Sequence, residues 1–259
     1  MADLKKIHTF TQELSLNAGN FLKKNLGKIK KISYKGRMNL VTDIDTRCEK
    51  LILKRILDRF PDHKILSEEA GKVGSGDSEF LWLIDPIDGT TNYAHSFPFY
   101  CVSIGLSTNG NMVLGAIYDP ARNELFSAYK NGGAFLNRKR IHVSRVKKLE
   151  RSLLTTGFPY KFGTKMRRNI TNFSNFMLKC QAVRRPGSAA LDLCYVAVGR
   201  FEGFWELDLR PWDTAAGAII VEEAGGRVTT FDGKRFDPFK KEILATNNLI
   251  HNQMMKVVV

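Results

Sequence analysis

The chain has 259 residues, a formal charge of +14, 43% hydrophobic and 25% charged residues, the composition of a globular protein able to bury a large core. No apolar run approaches the roughly 20 residues a membrane helix needs, and the opening Met1-Ala2-Asp3-Leu4-Lys5-Lys6 carries no apolar signal core, so no membrane partner is expected and the cytoplasm is the expected compartment. Cys48, Cys101, Cys180 and Cys194 lack paired ligand spacing, and His8, His63, His95, His142 and His251 are scattered, which argues against a zinc site and a disulfide framework.

The basic balance, with a pI near 9.7, suits a nucleic acid, an anionic membrane or an anionic small molecule. Its cations crowd Lys23 to Lys35, Lys161 to Arg168 and Arg184-Arg185 without a nucleic-acid motif or an aromatic-basic platform. Most such runs are solvated faces, so nucleic acid is not the expected partner.

From Leu4, the apolar positions Ile7, Phe10, Leu14, Ala18, Phe21 and Leu22 recur every three or four residues. This spacing predicts a long amphipathic helix, with Asp3 as its cap and Gly27 at its end. Asn39 to Thr42 reads as extended, and a second helix with Ile44, Cys48, Leu51, Ile52 and Ile56 on its apolar side runs to Pro61. Asp43 and Asp45 stand at its start. Lys64 to Ser67 reads as a short strand ending at Glu68-Glu69, and Gly71 to Ser78 as a flexible loop.

The next stretch organises the chain. Phe80 to Ile84 is a short apolar run that predicts a buried strand, and Pro86 is expected to stop its ladder just past Asp85. Asp88-Gly89 permits a sharp turn, after which Thr90 and Thr91 can open a helix. Two carboxylates would then face a helix terminus that attracts phosphate. Since acids repel phosphate, a cation must stand between them; carboxylates, a carbonyl such as that of Ile87 and phosphate itself form the all-oxygen donor set of Mg²⁺. The plain alternative is an Asp-Pro turn running into an Asp-Gly turn.

Downstream, Phe99 to Thr108 and Met112 to Tyr118 flank Asn109-Gly110, a two-residue hairpin signal, and Glu124 to Tyr129 follows an Asp119-Pro120 turn. Residues 1–142 therefore read as an α+β half. From residue 143 to 259 the order alternates: strands at Leu153 to Thr156, Ala182 to Arg185, Gly203 to Leu207 and Arg227 to Phe231, with helices at Arg167 to Lys179, Ser188 to Val198 and Thr214 to Ala224. That predicts an α/β half and a site in the crevice between the two. Asp213, after Pro211-Trp212, precedes a small-residue helix and reads locally as an N-cap; Gly187-Ser188-Ala189-Ala190 opens another helix with small residues that let a ligand approach backbone N–H groups.

In this order and spacing, Glu68, Trp82-Leu83-Ile84-Asp85-Pro86-Ile87-Asp88-Gly89-Thr90-Thr91-Asn92 and Pro211-Trp212-Asp213 resemble the inositol monophosphatase family of Mg²⁺-dependent, lithium-sensitive phosphatases. Val41-Thr42-Asp43-Ile44-Asp45 and Gly187-Ser188-Ala189-Ala190-Leu191-Asp192 are similar to two further motifs of that family, and the likeness spans nearly the whole chain. It implies a layered αβαβα sandwich of the inositol monophosphatase and fructose bisphosphatase type, usually a homodimer. It also implies two or three Mg²⁺ ions shared by Glu68, Asp85, the Ile87 carbonyl, Asp88 and Asp213, with Glu69 as an acid just outside them. Thr90 with Asp45 would orient and help deprotonate the attacking water, Gly89 and Thr90 would offer N–H groups to phosphate, and Gly187, Ser188, Ala189 and Glu206 would hold the alcohol.

Related enzymes act on inositol phosphates, fructose 1,6-bisphosphate, histidinol phosphate and adenosine bisphosphates. Inositol 1-phosphate is the first expectation; Lys161, Lys165, Arg167 and Arg168 raise the alternative of a second phosphate and hence a bisphosphate substrate. The competing reading from another class is a regulatory module that uses the basic surface to bind RNA or a transcription complex.

Overall fold

A computed structural model describes residues 2–29, 31–34, 40–74 and 77–259. Helix α1 (Ala2–Asn25) is followed by a two-stranded antiparallel ribbon, β1 (Ile32–Tyr34) and β2 (Leu40–Thr42), and by α2 (Asp43–Arg59). Thr42 caps α2 reciprocally: its hydroxyl accepts the Ile44 N–H at 3.2 Å, and Asp45 accepts the Thr42 N–H at 2.9 Å. Asp3, expected as the cap, lies inside α1, which begins at Ala2, and the extended Asn39 lies outside the described residues.

An eight-stranded sheet follows, built from β3 (Lys64–Ser67), β4 (Gly71–Val73), β5 (Phe80–Asp88), β6 (Cys101–Thr108), β7 (Asn111–Asp119), β8 (Glu124–Tyr129), β9 (Gly133–Leu136) and β10 (Lys139–Arg140). Its order is β10-β9-β8-β7-β6-β5-β3-β4, antiparallel except where β3 runs parallel to β5. Asn109 and Gly110 turn the β6–β7 hairpin with φ of 48° and 74°, the doubly positive pair whose twist matches paired strands.

Two expectations are corrected in this sheet. Gly71–Val73, read as loop, pairs with β3 as an edge strand, the register running from Ser67–Gly71 to Ile65–Val73; residues 75–76 of that loop lie outside the described residues. Pro86 does not end β5. The ladder skips from Asp85–Ser103 to Asp88–Cys101, so a bulge absorbs the missing proline donor and the strand continues.

The second sheet has the order β12-β11-β13-β15-β14, from β11 (Leu153–Thr156), β12 (Ala182–Arg184), β13 (Gly203–Leu207), β14 (Arg227–Thr229) and β15 (Glu242–Thr246). The alternating pattern held only in part: β12, β11 and β13 are parallel, but β15, which has no flanking helix signal, returns antiparallel to β13 and β14. Helices α4 (Thr164–Met177), α5 (Ala189–Ala197), α6 (Pro211–Glu223) and α7 (His251–Met255) accompany this sheet, and α4 begins ahead of the expected Arg167.

Three apolar clusters show how these elements stack. Ile7, Leu14 and Leu22 of α1 and Ile44 and Ile52 of α2 pack on Trp82, Ile84, Val102 and Ile104, one face of the large sheet. The other face meets α5 and α6, which also receive Phe204, Ile243 and Ala245 from the small sheet. Trp205 and Leu244, their neighbours on the opposite side of the pleat, join Phe176 of α4 and Met254 of α7. The result is an αβαβα sandwich.

Candidate active site

The parallel pairing of β3 with β5 sets Ser67 opposite Ile84, so Glu68 and Asp85 leave the sheet side by side; the Glu68 N–H donates to the Ile84 carbonyl at 3.2 Å. Beyond the bulge, Asp88 turns toward the entrance of α5, where one carboxylate oxygen accepts from the Ser188 hydroxyl at 2.6 Å and the Ala190 N–H at 2.7 Å. Gly89 then takes φ of 89° at the start of the short helix α3 (Thr90–Ala94). A side chain there would be strained by that backbone angle, and its Cβ would stand 2.9 Å from the Phe99 carbonyl.

Asp213 comes from the opposite direction. It is the third residue of α6 rather than its N-cap, because Pro211 begins the helix, and it accepts the Arg210 N–H at 2.7 Å. The Ser103 hydroxyl of β6 pins this helix start through the Trp212 carbonyl at 3.3 Å. Asn92 ties α3 to the other wall by donating to the carbonyls of Phe99 at 2.7 Å, Pro186 at 2.9 Å and Gly187 at 3.4 Å.

These residues surround a cavity of about 810 Å³. Glu68, Asp85, Ile87, Asp88, Gly89, Thr90, Gly187, Ser188, Ala189, Glu206 and Asp213 all line it. Glu206 reaches it because it shares the inward side of β13 with Phe204, and Gly157 leaves room for its carboxylate: a Cβ on Gly157 would lie 2.3 Å from either oxygen. Asp45 and Glu69 stand behind this wall, Asp45 held by the Thr42 N–H and hydroxyl at 2.9 and 2.5 Å, and Glu69 held through its N–H by Glu49 at 2.9 Å. Thr90 donates to the Ile87 carbonyl at 2.9 Å; it does not meet Asp45 directly.

Burial dominates the electrostatics. Asp85 and Asp213 are held well above the ordinary carboxylate range, first by burial and then by neighbouring acids: Glu68 and Asp88 for Asp85, Asp88 and Glu68 for Asp213. Burial also lifts Asp88 to about 6 against the bonds from Ser188 and Ala190, Asp45 to about 6, and Glu206 to about 8, with Asp88 adding to the last. Acids raised by one another are a site whose charge a cation would relieve. Among the described residues no three acidic, His or Cys side chains close into a preformed metal cage, since the carboxylates turn to their own hydrogen-bond donors. The donors are nonetheless all oxygen and drawn from three element ends and a carbonyl, which fits Mg²⁺.

Cations stand across the opening. Lys161, Arg185, Arg210 and Lys241 line the cavity and are exposed. Of these only Lys161 belongs to the cluster singled out in the sequence. Lys165 pairs with Asp208, Arg168 bonds Glu242 at 3.2 Å and lies 5.1 Å over the Phe231 ring, and Arg167 is on the exposed side of α4. None of these three lines the cavity, although Lys165 reaches its edge through Asp208. Arg185, marked in the sequence only as part of a basic run, and Arg210, not marked there, each directly precede a site motif, Pro186-Gly187 and Pro211-Trp212. Lys241, outside any motif, gave no signal.

The chain matches the model of the inositol monophosphatase family over residues 3–259. It is 45% identical over 258 residues to an inositol-1-monophosphatase of Synechocystis, covering 99% of this chain and 90% of that protein. It is 40% identical over 263 residues to a fructose-1,6-bisphosphatase/inositol-1-monophosphatase of Aquifex aeolicus, covering 99% and 97%. The crystal structure of the extragenic suppressor protein suhB from Bartonella henselae superimposes with a TM-score of 0.93 at 36% identity over 98% of both chains. With the layered fold and the acid-lined cavity, these likenesses place the chain in the inositol monophosphatase family, and it is a phosphoric monoester hydrolase.

Proposed function

We propose that the chain is a Mg²⁺-dependent inositol-1-monophosphatase, working in the cytoplasm as a homodimer, in which residues 1–142 hold most of the metal and residues 143–259 hold the substrate alcohol. The observation that carries this reading is the convergence of Glu68, Asp85, Asp88 and Asp213 with the Ile87 carbonyl on one cavity that Glu206 and the Gly187-Ser188-Ala189 entrance of α5 also line. Glu68, Asp85, the Ile87 carbonyl, Asp88 and Asp213 are the ligands for two or three ions. Mg²⁺ bound there would neutralise phosphate oxygens, lower the pKa of water and stabilise the departing alkoxide.

The remaining work falls to the chain itself. Gly89 and Thr90 present N–H groups to the phosphate, and Thr90, fixed on the Ile87 carbonyl, orients the attacking water with Asp45 behind it. Ser188, Ala189 and Glu206 hold the hydroxyls of the leaving alcohol. Water attacks phosphorus in line, the ester P–O bond breaks, the alcohol takes a proton, and inorganic phosphate is left. No covalent enzyme intermediate is needed, which agrees with Cys48, Cys101 and Cys194 being buried behind the core faces.

A second reading, with fructose 1,6-bisphosphate as an additional substrate, is favoured by the exposed cations Lys161 and Arg185 that line the opening, Arg185 lying within electrostatic reach of Glu206. Both readings are tested by phosphate release from a panel of inositol 1-phosphate, fructose 1,6-bisphosphate, histidinol phosphate and adenosine bisphosphate, with Mg²⁺ and with EDTA. Rapid Mg²⁺-dependent release from inositol 1-phosphate supports the proposal; release from none of the panel would defeat it.

A further inference from the structure

Helix α2 carries two acids one turn apart, Asp45 and Glu49, and both are buried. Asp45 belongs to the helix cap and to the proposed water-orienting pair. Glu49 has no part in either, and a buried carboxylate on a helix is costly unless its oxygens are satisfied. One of them is satisfied by two donors: the Ser67 hydroxyl, and the Glu69 N–H at 2.9 Å. Ser67 is the last residue of β3 and Glu69 lies in the turn that follows, so the two donors are the chain neighbours of Glu68 on either side. The Glu68 N–H itself is tied to Ile84, next to Asp85, at 3.2 Å.

We propose that Glu49 is a positioning residue for the metal site: by gripping Ser67 and the Glu69 N–H it fixes the turn that carries Glu68 and so sets where the Glu68 carboxylate stands relative to Asp85. The turn joins β3 to β4, whose ladder closes at Ser67–Gly71. In addition α2 and β5 hold the three-residue stretch 67–69 from two sides, and its middle residue lines the cavity. The grip uses the oxygen as an acceptor and not the charge, so a glutamine at the same place keeps it. Partners that orient a metal ligand usually matter through the ion's affinity more than through the chemistry once the ion is bound.

The inference rests on the proposed Mg²⁺ function and is tested by calorimetric titration of Mg²⁺ into the full chain, alongside kinetics at saturating Mg²⁺. Glu49→Ala should weaken Mg²⁺ binding about 10- to 100-fold, leave KM for inositol 1-phosphate at saturating Mg²⁺ unchanged, and keep the far-UV spectrum. Glu49→Gln should restore affinity to within about threefold of the wild type, and Ser67→Ala, which removes one of the two grips, should weaken it about threefold to tenfold. Wild-type affinity in Glu49→Ala, or equal loss in Glu49→Gln and Glu49→Ala, would overturn the positioning role while leaving the phosphatase reading intact. Should Glu49→Ala not fold, Ser67→Ala decides: affinity equal to the wild type overturns the role. A wild-type chain that binds no Mg²⁺ would overturn both.

Discussion

The two sides of the cavity are built in opposite ways. Asp85, Asp88 and Asp213 sit on the ends of paired or packed elements, the first two buried and Asp213 half-buried, and have their oxygens held by Ile87, Ser188, Ala190 and Arg210. Lys161, Arg185, Arg210 and Lys241 are exposed side chains on loops or at element starts. Charge in the wall is weakly screened and held by hydrogen bonds, whereas charge on the rim is exposed, with Lys241 3.9 Å from Asp208. The acids are thus more tightly placed than the cations, which suits the proposal of one reaction on a range of substrates.

This contrast orders the expected effects of breaking each side. Asp88→Asn or Asp213→Asn should lower kcat on the order of 10³-fold or more while the fold persists, because each removes a charge that the wall exists to place. Steady-state rates at saturating Mg²⁺, with circular dichroism as the control for folding, check this. Thr90→Ala is expected to cost turnover about 10²-fold, the scale of a group that positions proton transfer, and to leave Mg²⁺ affinity nearly unchanged. A joint collapse of affinity and rate would make Thr90 a prop for the Ile87 carbonyl.

The wall should also be visible in stability. Glu206 titrates near 8 in the fold because it is buried and faces Asp88, against roughly 4.3 in an unfolded chain. A raised folded value means that the folded state holds a proton the unfolded state has lost, so stability is greatest at low pH and declines as pH rises through 8. Between pH 8 and 6.5 the buried histidines stay neutral, His251 being pushed down to about 4 by burial. The urea midpoint of the chain in EDTA should therefore rise as pH falls from 8 to 6.5, and Glu206→Gln should flatten the slope. A midpoint that drops over that window would show the wall to be less buried than its packing indicates.

The rim should give the smallest effects. Lys161→Ala and Arg185→Ala are each expected to raise KM for fructose 1,6-bisphosphate only a few-fold at low salt, with the effect fading at high salt, as exposed charges contribute at most about 1 kcal/mol. Lys165→Ala and Arg168→Ala should leave KM unchanged for either substrate, since those side chains are committed to Asp208 and Glu242. A selective bisphosphate defect in Arg168→Ala would restore the second-phosphate role that the geometry denies it.

The wall was legible in the sequence and the rim was not, for the same physical reason. An apolar run ending in Asp85 and Asp88, an acid pair closing Lys64 to Ser67, and Asp213 behind a proline all write their positions through local rules of strand ending and helix start. The joint order of those motifs carried the family resemblance and with it the layered fold. Side chains on the rim are placed by tertiary packing: three of the four marked cations belong to α4, which starts at Thr164 rather than Arg167, and Lys165 and Arg168 are taken up by Asp208 and Glu242. Strands β4 and β15 were missed likewise, the edge strand β4 because glycines in 71–74 mimic a loop and the interior strand β15 because no helix separates Glu242–Thr246 from β14. Glu49 gave no signal at all, because what it grips lies on another element.

The most direct measurement is release of inorganic phosphate from inositol 1-phosphate by the full chain and by Asp88→Asn at matched secondary structure, each with saturating Mg²⁺ and with EDTA. The expected result is turnover by the wild type that requires Mg²⁺ and falls at least about 10³-fold in the variant. Turnover that survives EDTA, or a folded Asp88→Asn chain that keeps near-normal activity, would contradict the acid wall as the seat of the chemistry.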